Sequence, residues 1–195
     1  MELYSEEPFF EKVLNLLVYS AKKRYGISVS FVGDQKFKGD LSGKEIVLSE
    51  DLSPSIRLGY FLHLFGHTVQ WNQPDFYENY GNFLKPKFED KTEEEFQEIY
   101  NYEYEAAQYA LHFVESLEGH VNFEESYDFV LDWFSRFAIT DLKYLEIFYR
   151  NTKNKDSLDF AAIWKEVESS RIKSKKYESF SAKEVCPLLS RSRLV

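Results

Sequence analysis

The chain has 195 residues, 44% of them hydrophobic and 18% aromatic, which is enough to bury the core of one or two compact units. Its net charge of −9 is uneven, since residues 169–195 carry +5 and residues 1–168 carry −14, and this acidic body argues against direct binding to nucleic acid or to an anionic membrane. The single cysteine, Cys186, excludes an intramolecular disulfide framework, and because no apolar run has transmembrane length we expect a cytoplasmic protein with neither a signal peptide nor a membrane span.

The first third of the chain contains one amphipathic stretch and several short β-type runs. Residues 8–25 place apolar side chains at helical spacing and end in basic residues before a glycine, which is typical of a helix end. Ser28–Val32 and Glu45–Leu48 have the composition of strands, Phe37 offers a third strand between them, and residues 41–43 make a turn. The pattern predicts a small antiparallel sheet.

The stretch 53–72 has the features of a buried helix. Ser53 is placed to cap the free N–H groups, and Pro54 stands at the first helical position, where a missing donor costs nothing. Apolar side chains then cover most of the circumference, which predicts burial on nearly all sides. These positions are Ile56, Tyr60, Phe61, Leu64, Phe65 and Val69.

Two histidines in this helix are spaced for a metal site. His63 and His67 are four residues apart, so they lie about 40° from each other around the axis and one turn apart, where both imidazoles can reach one ion. Zinc peptidases place a glutamate directly after the first histidine, where it deprotonates the metal-bound water. Here that residue is Leu64, which cannot accept a proton. The pattern therefore indicates a metal site more strongly than a peptidase.

A long aromatic connection and a second long helix follow. Residues 72–91 form a connection of unusual length, which fits either a lid or groove wall over a site or a loop simply packed on the core. Thr92 and Glu95 have the spacing of a capping box, and apolar spacing predicts a helix from there to about Glu118.

Glu103 falls within the apolar stripe of this helix. A carboxylate among core positions is costly unless it is paired or binds metal, so Glu103 is the candidate third ligand. The alternative is that Glu103 pairs with an arginine or accepts hydrogen bonds from tyrosine hydroxyls in the core. Glu105 lies on the polar face and is expected to be solvated, and His112 and His120 are expected at the surface.

The C-terminal third contains further helices and a basic tail. Residues 123–137 and 141–150, joined by a short link ending in Thr140 as a cap, have the shape of a helix-turn-helix. The charges of the second helix sum to zero, so we interpret the pair as structural packing and not as a DNA reader. The apolar residues within 158–167 predict a last helix. The tail, 169–195, is expected to be flexible or to fold back on the acidic body.

Three segments together resemble the ImmA/IrrE family of zinc peptidases. They are the strand KEIVLS at 44–49, the helix GYFLHLFGHTVQW at 59–71, and EYEAAQYA at 103–110. The family pattern is a strand, then H-E-x-x-H on a helix, then a second helix with E-x-x-A-(N/D)-x-F-A. Residues 137–150 are similar to the helical segment, helix-turn-helix-like, that ends the family's fold. The resemblance covers roughly residues 10–165.

The resemblance implies a ligand set and one departure from it. His63 and His67 match the histidine ligands, and Glu103 matches the glutamate ligand, so zinc is the implied cofactor. Leu64 stands in place of the catalytic glutamate, and Ala107 stands where Asn or Asp is usual. The departure at position 64 leaves the ligands intact and removes the usual general base.

The expected fold class is α+β. We expect a small antiparallel sheet packed on a mainly helical, zincin-like domain at 1–120, a helical, helix-turn-helix-like segment at 121–168 packed on it, and the flexible basic tail at 169–195.

The resemblance and the residues leave three functional hypotheses. The first is a protein that binds zinc through His63, His67 and Glu103, lacks standard peptidase activity, and acts by binding a protein partner such as a transcriptional regulator. The second is an active intracellular zinc peptidase that cleaves a regulatory protein, with another carboxylate as base. The third is a metal-free structural or interaction protein whose histidines are satisfied in the core.

Overall fold

A computed structural model describes residues 7–33, 39–74, 92–118, 127–150, 159–167 and 171–183. The described chain is α+β and mainly helical. Its elements are α1 (Glu7–Tyr25), β1 (Ser28–Val32), β2 (Gly39–Leu41), β3 (Glu45–Ser49), α2 (Pro54–Asn72), α3 (Glu93–Glu115), α4 (Tyr127–Arg150) and α5 (Phe160–Glu166). None of these helices is both long and apolar enough to cross a membrane.

The chain divides into two compact units. The first contains residues 1–79 and 177–195, and the second contains residues 80–176. The domain boundaries predicted after residues 120 and 168 stay predictions. Within the second unit, α4 packs against α3.

The sheet of the first unit is mixed. Its strand order is β1-β3-β2, with β2 antiparallel and β1 parallel to β3. The expected antiparallel pairing is therefore wrong for β1, because only β2 and β3 are joined by a tight turn. That turn contains Gly43 at a φ of 79°, which favours glycine. Leu41, expected in the turn, ends β2, and the candidate strand residue Phe37 lies outside the described residues.

Helix α2 forms for the reasons that its sequence indicates. The Ser53 hydroxyl accepts a hydrogen bond from the backbone N–H of Ile56, and Pro54 occupies the first helical position. Fifteen of the nineteen residues are buried, so the expectation of burial on nearly all sides is confirmed. The helix packs against α1, β2 and β3 within the first unit. Of the predicted connection at 72–91, residues 75–91 lie outside the described part of the chain.

The second unit is helical in its described residues. The predicted capping box is confirmed at the start of α3, where the Thr92 hydroxyl accepts from the Glu95 N–H and the Glu95 carboxylate accepts from the Thr92 N–H. Helix α3 packs against α4, and α4 packs against α5. The predicted last helix is present as the shorter α5, capped by the Asp159 carboxylate.

Helix α4 is continuous where a helix-turn-helix was expected. The expected cap residue, Thr140, lies inside the helix, and its hydroxyl donates to the Arg136 carbonyl oxygen at 2.8 Å. That bond to the preceding turn is the alternative to capping that threonine offers inside a helix. Buried apolar side chains continue across the expected break, from Phe137 and Ala138 to Leu142, so an unbroken helix keeps one apolar face in the core.

Residues 171–183 have no helix or strand and yet make specific contacts, while the flexibility expected of the tail stays a prediction. In the second unit, Arg171 forms ion pairs with Asp128 and Asp132, and Ile172 is buried while its N–H donates to the Ser135 hydroxyl. This pairing agrees with the alternative that the basic tail folds back on acidic groups.

The tail is held in the first unit as well. The hydroxyls of Tyr177 and Tyr25 share a hydrogen bond of 2.8 Å, and Phe180 stacks on the Tyr25 ring. Burial raises the pKa of Tyr177, and the bond to Tyr25 acts in the same direction. The Ala182 N–H donates to the Tyr25 carbonyl oxygen.

Candidate metal centre

The two histidines of α2 are buried and point to a common place. His63 is 4% and His67 is 5% exposed. Their Nε2 atoms are 3.2 Å apart, and their rings are nearly perpendicular, with centroids 4.6 Å apart. The four-residue spacing thus has the effect that helical geometry predicts, since both rings present the same nitrogen to one point.

A third side chain of α2 contacts this pair. The Gln70 Oε1 atom is 2.8 Å from His67 Nδ1, on the side of the ring away from His63. Gln70 is buried and follows His67 by three residues, so it lies on the same helical face. The sequence analysis missed this contact. An amide three residues after a candidate ligand was the signal for it.

Glu103 joins the histidines, as the sequence predicts. It lies in α3 and is half-buried. His63, His67 and Glu103 each offer one ligand atom, and these three atoms lie within 4.8 Å of one another. This group of side chains is therefore positioned to bind a metal ion.

The group fits a zinc ion in donor type, and its two histidines also fit in spacing. Two imidazole nitrogens and one carboxylate oxygen are ligands that zinc prefers, and three protein ligands leave a fourth position open. Ligands held at zinc distances in a tetrahedral site are about 3.3–3.4 Å apart, close to the 3.2 Å between the two Nε2 atoms. The spacing needs no large rearrangement of α2.

The side chain at position 64 packs in the core and cannot accept a proton. Leu64 is 1% exposed, and its Cδ1 atom would lie 2.7 Å from a Cβ atom built on Gly39 of strand β2. A larger residue at position 39 would force the Leu64 Cδ1 atom to shift, because the leucine already fills the space where a side chain would begin. The Leu64 side chain is thus part of the contact between α2 and the sheet.

The other acidic and imidazole candidates have separate surroundings. Glu105 was expected to be solvated, but it is half-buried, pairs with the Lys175 ammonium, and accepts a hydrogen bond from the Tyr109 hydroxyl. The expectation failed because the tail supplies its partner from seventy residues away. His112 lies 3.6 Å from the Glu115 carboxylate, half-buried, and His120 is outside the described residues.

The pKa values of Lys175 and of Tyr109, which both contact Glu105, are raised. Burial would lower the pKa of Lys175, but the hydrogen bond and the charge of Glu105 outweigh it and raise that pKa. Burial, helped by the Glu105 charge, raises the pKa of Tyr109. Both shifts keep the lysine charged and the tyrosine neutral at physiological pH, which suits a structural contact.

Comparison with known proteins adds no assignment. No family model, curated protein or solved structure matches this chain.

Proposed function

We propose that this protein binds a zinc ion through His63, His67 and Glu103 and does not hydrolyse peptides by the usual zinc-peptidase route. The observation that carries the proposal is the grouping of one ligand atom from each of these residues within 4.8 Å. Two of the three are buried histidines, whose rings need polar partners in the core. A shared ion is one such partner for both.

The ion would supply Lewis acidity and a bound water at its open position. Hydrolysis by this chemistry needs a proton acceptor beside the water, and a glutamate after the first histidine provides it in zinc peptidases. Leu64 occupies that position and is engaged with Gly39. The chain therefore keeps the residues that hold an ion and lacks the residue that would use it for hydrolysis.

We further propose a degenerate relationship to the ImmA/IrrE family and its zincin-like fold. The support is the sequence resemblance over 44–49, 59–71 and 103–110, together with the α+β class of the described chain. A relative that has lost the general base retains the surface that recognised a substrate. The proposed role is accordingly to bind a protein partner, with a transcriptional regulator as the class that the resemblance suggests.

A metal-free protein is the second candidate, and one contact favours it. The 3.2 Å between the two Nε2 atoms is also a hydrogen-bond distance, so one imidazole can donate to the other without an ion. The two candidate functions therefore differ in whether the two imidazoles bind a shared ion or a hydrogen bond joins them directly.

The deciding experiment is metal analysis by plasma mass spectrometry on protein purified without a histidine tag and without added metal. We expect about one zinc per chain, the stoichiometry of a single tetrahedral site. His63→Ala and Glu103→Gln should lose the zinc, whereas His112→Ala, which removes an imidazole outside the group, should retain it. A folded wild-type protein that takes up no added zinc would establish the metal-free candidate.

Peptidase activity needs its own assay, because zinc content alone does not address it. Zinc-loaded protein should cleave an unfolded, fluorescently quenched casein substrate no faster than the chelator-treated control does. Turnover that disappears with chelator and in Glu103→Gln would show that another group replaces the missing glutamate, and it would overturn the non-hydrolytic part of the proposal.

A further inference from the structure

Three side chains of α2 form a line along one helical face. His63, His67 and Gln70 are spaced by four and three residues, and all three are buried. Side chains of a helix lean toward its N-terminus, so Gln70 reaches back to His67, which in turn reaches back to His63. The contacts follow this order: Gln70 Oε1 to His67 Nδ1 at 2.8 Å, and His67 Nε2 to His63 Nε2 at 3.2 Å.

The first contact decides which nitrogen of His67 carries a proton. The amide oxygen of Gln70 can only accept, so the hydrogen bond requires a proton on His67 Nδ1. In a neutral imidazole the other nitrogen, Nε2, then has a free lone pair. We infer that Gln70 is a positioning residue that holds His67 in the Nδ1–H tautomer and thereby presents Nε2 as the metal-binding nitrogen.

The effect of Gln70 on metal binding rests on the proposed function, whereas its hydrogen bond to His67 does not. A metal-binding histidine has its ligand nitrogen and its ring orientation set by the hydrogen bond of the other nitrogen, and loss of such a partner costs 10–100-fold in metal affinity as an order of magnitude. Removal of the acceptor at position 70 weakens the preference for a proton on His67 Nδ1, and a proton on Nε2 would block the ligand atom.

The end of α2 is held firmly enough for this role. The side-chain amide of Asn72 donates to the carbonyl oxygens of Thr68 and of Gly43 in the turn before β3. The backbone from Thr68 to Asn72 is thereby attached to the sheet, and Gln70 lies between the two attached residues. A rigid backbone keeps the amide oxygen at its distance from the imidazole with little loss of side-chain freedom on metal binding.

The test compares two substitutions of nearly equal size. Gln70→Met removes the acceptor, and Gln70→Glu replaces the amide by a group that can only accept. Zinc affinity, measured by competition with a chromophoric chelator, should fall 10–100-fold in Gln70→Met and stay equal or increase in Gln70→Glu. Gln108→Met is the matched control, since Gln108 donates to the Lys173 carbonyl oxygen at the same 2.8 Å in the second unit, and it should leave the affinity unchanged.

A second measurement reads the tautomer itself in metal-free protein. Long-range proton–nitrogen correlation spectra of the imidazoles should show His67 protonated on Nδ1 in the wild type and in Gln70→Glu, and should show that preference lost in Gln70→Met. Equal zinc affinities, or an unchanged tautomer in folded Gln70→Met, would overturn the role of Gln70. If the wild type binds no zinc, the proposed function fails, and the spectra alone still decide whether Gln70 sets the tautomer.

Discussion

Helix α2 and the segment 171–183 differ in almost every local property and are both firmly attached to their surroundings. The helix satisfies its backbone hydrogen bonds internally, so its burial depends on apolar side chains such as Leu64 and Phe65. The segment has no internal pattern, so its N–H groups find partners elsewhere: Ile172 at the Ser135 hydroxyl and Lys175 at the Gln108 carbonyl oxygen.

The helix and the extended segment obtain their defined conformations from different sources. A helix is specified by caps and by spacing within its own sequence, and packing then stabilises it. An extended segment is specified by the groups that it meets, which lie far away in the chain. Mutations should therefore affect the helix most through lost packing, and the segment through lost anchors.

The largest effect is expected where α2 meets β2. Leu64→Ala should lower the free energy of unfolding by about 2–5 kcal/mol, because it leaves a cavity. Gly39→Ala should cost about 1–3 kcal/mol, because the new methyl group overlaps Leu64 Cδ1. In the double variant the methyl group partly fills the cavity, so the combined loss should be smaller than the sum of the two single losses. Urea unfolding of the four proteins measures this coupling.

Leu64→Met is the control for that cycle, since it conserves volume and should cost less than about 1.5 kcal/mol. Strictly additive losses would show that Gly39 and Leu64 do not share the space between α2 and the sheet, and the packing account of position 64 would have to be abandoned.

A smaller effect is expected in the segment. Ile172 is buried, so Ile172→Ala should lower the stability of the second unit by about 2 kcal/mol, the low end for a buried aliphatic residue. Lys176→Ala changes an exposed residue of the same segment within the second unit and should stay within about 0.5 kcal/mol of the wild type. Hydrogen exchange of α4 measures both. Equal protection in the two variants would mean that the segment does not anchor at Ile172.

The smallest effect concerns pH. The raised pKa of folded Tyr177 means that the folded state holds its proton more tightly than the unfolded state, where the pKa is about 10. Its stabilising contribution is thus complete below about pH 10 and is lost as the pH rises further toward the folded pKa. Tyr177→Phe should cost about 0.5–1.5 kcal/mol at pH 7, through the lost bond to Tyr25.

The same variant should show a shallower loss of stability above pH 10, because it has no hydroxyl to ionise at position 177. Urea midpoints of the wild type and Tyr177→Phe between pH 7 and 11 compare the two slopes. Parallel curves would indicate that neither burial nor the bond to Tyr25 raises the pKa of Tyr177 in solution.

The sequence predicts those features of the fold that depend on neighbours along the chain. The cap at Ser53, the capping box of Thr92 and Glu95, and the spacing of His63 and His67 each involve residues within four positions of one another. The sequence also selects Glu103, because a carboxylate within an apolar stripe conflicts with its surroundings unless it has a partner.

The sequence predictions that were wrong have a common physical cause. Strand direction is decided by pairing between segments that are not adjacent, so the parallel alignment of β1 with β3 has no local signal. Thr140 has two hydrogen-bonding options, and the continuous apolar face of α4 decides between them. The partner of Glu105 is Lys175 in the tail, and no spacing within α3 could reveal it.

By itself, the sequence determined helices α1, α2 and α3, the caps that begin α2 and α3, and the identity of three side chains able to bind a metal. Only the tertiary structure decided that His63, His67 and Glu103 lie together, that Gln70 contacts His67, and that Leu64 fills the space above Gly39. Local free energies set dihedral angles and caps, whereas a ligand set, a buried hydrogen bond and a glycine contact each depend on where distant backbone segments come to rest.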